Sequence, residues 1–366
     1  MITEQGSSIS GTNSTAPELF KSELFKKEIA AYKEKIDQKL AGPEAFSLLS
    51  KLSAYPFMRS YASAYLDYCR GGKRIRAFLA AVGYGLCRNA EIDDSIITPS
   101  LAFELFQSGI LIHDDIIDNS PLRRGKPSMH VTLGDGETGR SKAICVGDIG
   151  MILASDIILG SDFPEAIKTR ALSLFNKVMA FTLAGELKDV ELSDAEAYTQ
   201  GEILDMYVLK TAWYTFTGPL LFGATLAGAG EDMMRALEQF GSDAGIAFQI
   251  KDDIIGIFGN EEVIGKTNLS DVCEGKRTIL TCHFLKTASE PQLQEFRQVY
   301  GKKDANADDL LKVRTLLENA GSRRYAEDIM LRHLEKARAS VHAMPVDEHY
   351  RMLLTGMIEY LGNRLY

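Results

Sequence analysis

The chain has 366 residues, of which 45% are apolar and 25% charged, the composition of an ordinary soluble globular protein. Its 50 acidic residues outnumber 41 lysines and arginines, giving a formal charge of −9 that argues against bulk nucleic-acid binding and leaves any anionic ligand to a local basic cluster. The five cysteines (Cys69, Cys87, Cys145, Cys273, Cys282) are scattered, odd in number and without a Cys-x-x-Cys pair, which fits a reducing cytoplasm and neither a disulfide scaffold nor a zinc site.

Residues 1–17 are rich in Ser, Thr and Gly and offer almost nothing to bury, so an unstructured tail is predicted there, with one all-α domain over 18–366. The tail lacks a basic segment leading into an apolar run, which argues against a secretory signal, and no uninterrupted apolar stretch is expected to cross a bilayer. From Glu18 onward Ala, Leu, Glu, Lys and Met dominate and apolar residues recur at three and four positions, the helical period. Gly71-Gly72-Lys73-Arg74-Ile75-Arg76 then places basic residues on a glycine-rich approach to a helix, where backbone N–H groups and guanidinium forks suit phosphate oxygens.

Residues 98–117 form a long apolar helix that runs into His113-Asp114-Asp115-Ile116-Ile117-Asp118. Asp114 and Asp118 are four apart and share a face. Carboxylates at a helix C-terminus oppose the macrodipole, a conflict that a divalent cation removes. Magnesium takes hard oxygen ligands and is commonly shared between a few carboxylates and substrate phosphates. Leu122-Arg123-Arg124-Gly125-Lys126 follows at once; taken alone this segment, like residues 71–76, reads as a solvated basic loop, and it is the presence of both in a chain of net negative charge that points to phosphate. Farther on, Lys210-Thr211 precedes Pro219, which is expected to kink an apolar helix and free carbonyl oxygens near a positive centre. The last cluster is Phe248-Gln249-Ile250-Lys251-Asp252-Asp253 with Gly256, followed by Gly265-Lys266-Thr267 and Gly275-Lys276-Arg277-Thr278. Gln249 and Asp253 share a face, with Asp252 beside them.

The order Gly-Gly-Lys-x-x-Arg, Asp-Asp-x-x-Asp, Leu-Arg-Arg-Gly, Lys-Thr and Phe-Gln-x-x-Asp-Asp, spread from Gly71 to Thr278, resembles the trans-type polyprenyl diphosphate synthases, those making geranylgeranyl diphosphate in particular. The resemblance implies an all-α antiparallel bundle around a deep central cavity, a homodimer, and condensation of isopentenyl diphosphate with an allylic diphosphate. It implies that Asp114, Asp118 and Asp252 hold Mg²⁺, three ions per site, with Asp115 and Asp253 in support. Arg123, Lys210 and Lys266 would take the allylic diphosphate, and Lys276 would join the substrate-binding set. Lys73, Arg76, Gln107 and Arg124 would take isopentenyl diphosphate, and Thr211 and Gln249 would flank the allylic cation.

Two positions depart from the common pattern: Gly256 stands where family members often carry a third aspartate, and Gln107 where many bacterial members have histidine. A class I terpene cyclase would share the first acidic motif but needs a different second one, and a non-catalytic partner subunit should have lost its carboxylates. In the family, a bulky aromatic five residues before the first aspartate tends to stop chain growth. That position is Gly109, so the upper floor of the cavity is expected to be open, with Phe106 or residues 145–151 below it. The expected product is geranylgeranyl diphosphate or longer.

Overall fold

A computed structural model describes residues 16–42, 46–195, 197–259 and 268–363. The expected tail over residues 1–17 therefore lies, save its last two positions, outside the described residues, as does Lys266. Helices carry nearly all of the chain: α1 (Ala16–Ala41), α2 (Ser47–Leu52), α3 (Met58–Tyr68), α4 (Ile75–Arg88) and α5 (Ile97–Ile117) come first. After a small hairpin follow α6 (Met129–Thr132), α7 (Gly136–Leu159), α8 (Glu165–Asp194) and α9 (Gln200–Tyr207). A π-helical stretch, Val208–Thr217, runs into α10 (Gly218–Leu226) and is followed by α11 (Glu231–Phe258), α12 (Leu269–Glu274) and α13 (Ile279–Thr287). Four more helices, α14 (Glu290–Val299), α15 (Ala307–Asn319), α16 (Ser322–Ala343) and α17 (Glu348–Asn363), complete the bundle.

Helix α5 is the centre of the bundle. It packs along α7 and also meets α1, α4 and α10. By length and composition the stretch Asp94–Ile117 is apolar enough to cross a membrane, contrary to the expectation that no segment would be. Its setting explains the apolarity: 78% of the most apolar window is buried inside the protein. Phe103 and Phe106 enter an aromatic cluster with Phe175 of α8, Phe222 of α10 and Tyr214 of the π stretch, mostly edge to face at 5.2 to 6.2 Å between centroids. Helix α5 also carries the buried Glu104, paired with Arg74 at 2.9 Å, and Arg74 in turn reaches Asp37 of α1 at 2.8 Å.

Two expectations change here. Pro219 lies inside a helical run unbroken from Gln200 to Leu226, just where the π stretch gives way to α10. The irregularity lies upstream, where the backbone widens into the π stretch and the Gly218 N–H reaches back to the Trp213 carbonyl. Gly109 is also not an open floor. A Cβ placed there would lie 2.8 Å from the Gly147 carbonyl oxygen and 3.3 Å from Met151 Cγ, so this glycine is where α5 and α7 approach most closely in this region. Phe106 is fully buried within the aromatic cluster.

Candidate active site

The C-terminal turn of α5 and the hairpin behind it make one wall. Strand β1 (Leu122–Arg123) pairs antiparallel with β2 (Lys126–Pro127), joined by the two residues Arg124 and Gly125, both at positive φ (53° and 74°). That is the tight turn whose twist matches a hairpin, and glycine takes its second position without strain. The hairpin folds Arg123 back on α5. Its Nη2 lies 2.7 Å from Asp114 Oδ2, and its Nε donates to Asp115 Oδ1 at 2.7 Å. Asp115 is fully buried and takes the Tyr68 hydroxyl on its other oxygen at 2.8 Å. Arg124 turns the other way, donates to the Arg70 carbonyl at 3.0 Å, and lays its guanidinium over Gly72, where a Cβ would stand 3.5 Å from it.

Asp118, one turn after Asp114, lies exposed at the rim, where nearby protein partly displaces water from it. That desolvation, then the charges of Asp114 and Glu274, raises its pKa from 3.8 to about 6 against the pull of Lys210 and Lys276. Residues of α5, α12 and the π stretch therefore meet in one electrostatic field. Asp252 is exposed on α11. Among the described residues no three carboxylate, histidine or thiol groups converge on one point as a complete metal cage. An aspartate pair one turn apart suits instead a hard cation that keeps part of its shell for phosphate oxygens.

The basic residues are held in place by partners that sequence reading did not identify. Lys210 meets Asp189 at 2.6 Å and Glu186 at 2.9 Å, both on α8. Burial disfavours its charge, but the two carboxylates win and raise its pKa. Glu186 itself has a raised pKa, from burial first and from Asp114 and Asp189 besides, with Lys210 opposing. The spacing of Glu186 and Asp189, three apart on one helical face, was the available signal, but α8 is long and charged throughout. Lys276 pairs with Asp271 at 2.8 Å. The other oxygen of Asp271 lies 2.0 Å from where a Cβ on Gly256 would be, so the carboxylate beside the glycine of the second motif comes from α12.

Gln107, Arg76 and Tyr214 form another group. The Tyr214 hydroxyl donates to Gln107 Oε1, Arg76 stacks 3.9 Å from the Tyr214 ring centre, and Arg76 Nη2 donates to Thr215 Oγ1 at 2.8 Å. Lys73 is exposed at the start of the same approach. Thr211 and Gln249 are brought together: the Thr211 hydroxyl donates to Gln249 Oε1 at 2.6 Å. Gln249 Nε2 donates to Asp253 at 2.9 Å, and burial pushes Asp253 up to about 8 despite the hydrogen bonds from Tyr207 and Gln249.

A helical bundle that presents two aspartates at the end of its central helix, with lysines and arginines fixed around them, defines a protein of the isoprenoid-synthase type. The polyprenyl synthetase family model matches residues 59–317, and the chain belongs to that family. A curated geranylfarnesyl diphosphate synthase from Aeropyrum pernix is 30% identical over 322 residues, covering 87% of this chain and 98% of that one. The crystal structure of a geranylgeranyl pyrophosphate synthetase from Pyrococcus horikoshii superposes with a TM-score of 0.79 at 30% identity, over 93% of this chain and 98% of that one. Another, of a geranylgeranyl pyrophosphate synthase from Corynebacterium glutamicum complexed with isoprenyl diphosphate and magnesium, gives 0.78 at 25% identity, over 95% and 98%.

Proposed function

We propose that the chain is a magnesium-dependent prenyltransferase that joins isopentenyl diphosphate to an allylic diphosphate, 1′ to 4, and releases geranylgeranyl diphosphate or a longer all-trans product. The observation that carries this reading is the end of α5, where Asp114, one turn from Asp118, meets Arg123 of the hairpin at 2.7 Å, with Lys210 held by Glu186 and Asp189 of α8. A site of that kind is suited to a polyanionic group bound with its counter-cations.

Magnesium, three ions in the full site, would be held by Asp114, Asp118 and Asp252 and would neutralise the departing diphosphate as a Lewis acid. The chain's own cations would complete that neutralisation: Arg123, Lys210, Lys266 and Lys276 would bind the allylic diphosphate, and Lys73, Arg76, Gln107 and Arg124 would bind isopentenyl diphosphate. Asp115 and Asp253 act through their partners, Asp115 by fixing Arg123 and Asp253 by fixing Gln249. The allylic C1–O bond breaks, the isopentenyl double bond supplies the electron pair for the new C–C bond, and the released diphosphate takes the proton. Thr211 and Gln249 flank the positive centre.

The assembly we propose is a cytoplasmic homodimer. Leu183, Leu187 and Val190 recur at four and three residues along α8 and are 40%, 68% and 44% exposed, an apolar stripe of the sort a second subunit covers. The function is tested by incubating the full chain with farnesyl and isopentenyl diphosphates and Mg²⁺, then sizing the dephosphorylated products. Products of C20 or longer that require Mg²⁺ are expected. Absence of any elongated product, or arrest at C15 when geranyl diphosphate is the primer, contradicts the proposal.

A further inference from the structure

One buried polar side chain has no part in the proposed chemistry. Tyr207, the last residue of α9, is 1% exposed, and its hydroxyl is the hub of a chain of hydrogen bonds. The Ile279 N–H, at the start of α13, donates to the Tyr207 oxygen at 3.2 Å. Tyr207 donates its proton to Asp253 Oδ2. The other oxygen of Asp253 accepts from Gln249 Nε2 at 2.9 Å, and Gln249 Oε1 accepts from the Thr211 hydroxyl at 2.6 Å.

Each link fixes the direction of the next. A backbone N–H only donates, so the tyrosine oxygen accepts there and its proton is left for Asp253. The Tyr207 and Gln249 donors favour the ionised form of Asp253 against the burial that opposes it, and an ionised Asp253 accepting on both oxygens turns the Gln249 NH₂ toward it and the Gln249 carbonyl toward Thr211. A threonine has a single hydroxyl proton, and the Gln249 carbonyl takes it. The remaining lone pairs of Thr211 Oγ1 are then its only means of meeting anything else.

Taking the proposed condensation as the reaction, we infer that Tyr207 is a positioning residue that sets the polarity of Thr211. Its hydroxyl orients Asp253 and Gln249 so that Thr211 presents an oxygen lone pair, and not a proton, to the carbon on which positive charge develops. An oxygen lone pair stabilises that charge, whereas a hydroxyl proton pointed at it opposes ionisation. The tyrosine never touches substrate. A purely structural tyrosine at this position would affect folding or all ligands alike, and the two roles are separable.

The experiment uses the full-length protein and the variant Tyr207→Phe, with Mg²⁺ and two non-reacting probes of equal chain length. One is farnesyl thiolodiphosphate, neutral at C1. The other is an ammonium diphosphate with a positively charged nitrogen at the C1 position. For Tyr207→Phe, affinity for the ammonium probe should fall roughly 10-fold while the thiolo probe is unaffected, and kcat should fall about 10-fold with both KM values unchanged, the size of one lost hydrogen bond to a charged centre. In a Thr211→Val background, Tyr207→Phe should cause no further loss for the ammonium probe, because the effect passes through that hydroxyl. Equal weakening of both probes, no weakening of either, or independent additive losses would each overturn the inference. If Tyr207→Phe fails to fold, Asp253→Asn carries the test, since at nearly constant volume its oxygen still takes the tyrosine proton while its NH₂ meets Gln249 and turns the Gln249 carbonyl away from Thr211. It should show the same selective loss of the ammonium probe, and an unselective loss counts against the inference. A wild-type chain that makes no elongated product refutes the proposed reaction itself, an outcome the probe affinities do not depend on.

Discussion

Asp114 and Asp115 are adjacent but differ in what holds them. Asp115 is fully buried and serves both Arg123 and Tyr68, whereas Asp114 is partly exposed and meets Arg123 from the site. Asp115→Ala deprives both the Arg123 Nε and the Tyr68 hydroxyl of their acceptor while Arg123 keeps Asp114, so it should cost about 2 to 3 kcal/mol of stability. Asp114→Ala should leave the melting temperature close to wild type, and both Asp114→Ala and Asp118→Ala should lower turnover by at least ~100-fold. Thermal melts alongside kcat distinguish these; an Asp115→Ala protein as stable as wild type, or an Asp114→Ala enzyme only a few-fold slower, contradicts the assignment. Asp118 gives a pH signature in the metal-free chain. Its pKa is raised in the fold from 3.8 to about 6, so the folded state keeps a proton that the unfolded chain has released. The resulting penalty is absent below pH 4, grows between 4 and 6 and is complete above 6. Asp118→Asn should therefore match wild type near pH 4 and melt higher than wild type at pH 7, and a variant that gains toward acid would show the shift has the opposite sign. The two aspartates were legible in sequence because a four-residue spacing fixes a shared face. Tyr68, Glu186, Asp189 and Tyr207 were not, because what makes each matter is a partner 21 or more residues away that only the packed bundle supplies: 47 for Tyr68 and Asp115, 21 for Asp189 and Lys210, 46 for Tyr207 and Asp253.

At the scale of elements, periodicity and composition located the helices that carry the site, and the long apolar α5 ends within a residue of where its pattern does. What composition did not show is how closely two helices approach. At Gly109 the obstacle to a side chain is the backbone of α7 at Gly147, and at Gly147 a Cβ would meet the His113 ring at 2.4 Å. Small residues on both helices thus set the α5–α7 distance, and Gly109 reads as an open floor only when α5 is considered alone. Gly109→Ala should accordingly destabilise the fold by about 1 to 3 kcal/mol, the usual cost of overpacking against a rigid neighbour. Gly109→Phe must push α5 and α7 apart, so any change in product length should come with a large drop in melting temperature. Denaturant unfolding of the two variants checks this; a Gly109→Ala protein of unchanged stability would mean that α7 gives way easily there. Pro219 teaches a related lesson. Its sequence context announces an irregular helix, and the chain accommodates it by widening the ten residues Val208–Thr217 into a π-helix within one unbroken helical run.

The molecule as a whole has charge, core and surface distributed in a way its composition only partly reveals. A net charge of −9 coexists with a site in which Arg123, Lys210 and Lys276 are each ion-paired to carboxylates, so the basic groups are organised without making any face of the sequence look basic. Apolar exposure is likewise hidden in sequence, because Leu187 on α8 follows the same period as residues that point inward. In the folded chain it is 68% exposed, and Leu183 and Val190 continue the stripe on the same helical face. Water contact with such a stripe is unfavourable by roughly 25 cal/mol per Å² of apolar surface, which a second copy of the chain relieves if it lies against α8. The site is close to that surface, since Glu186 and Asp189, the partners of Lys210, sit on the same helix within one turn of Leu187. Leu187→Asp places a charge at the middle of the stripe while leaving the inward face of α8 untouched. It should convert a dimer to a monomer in light scattering across micromolar concentrations, with helix content unchanged, and lower turnover by loosening the Glu186–Lys210–Asp189 contacts. A wild-type chain that is already monomeric, or a Leu187→Asp protein that remains dimeric with full activity, places the subunit interface elsewhere or removes it.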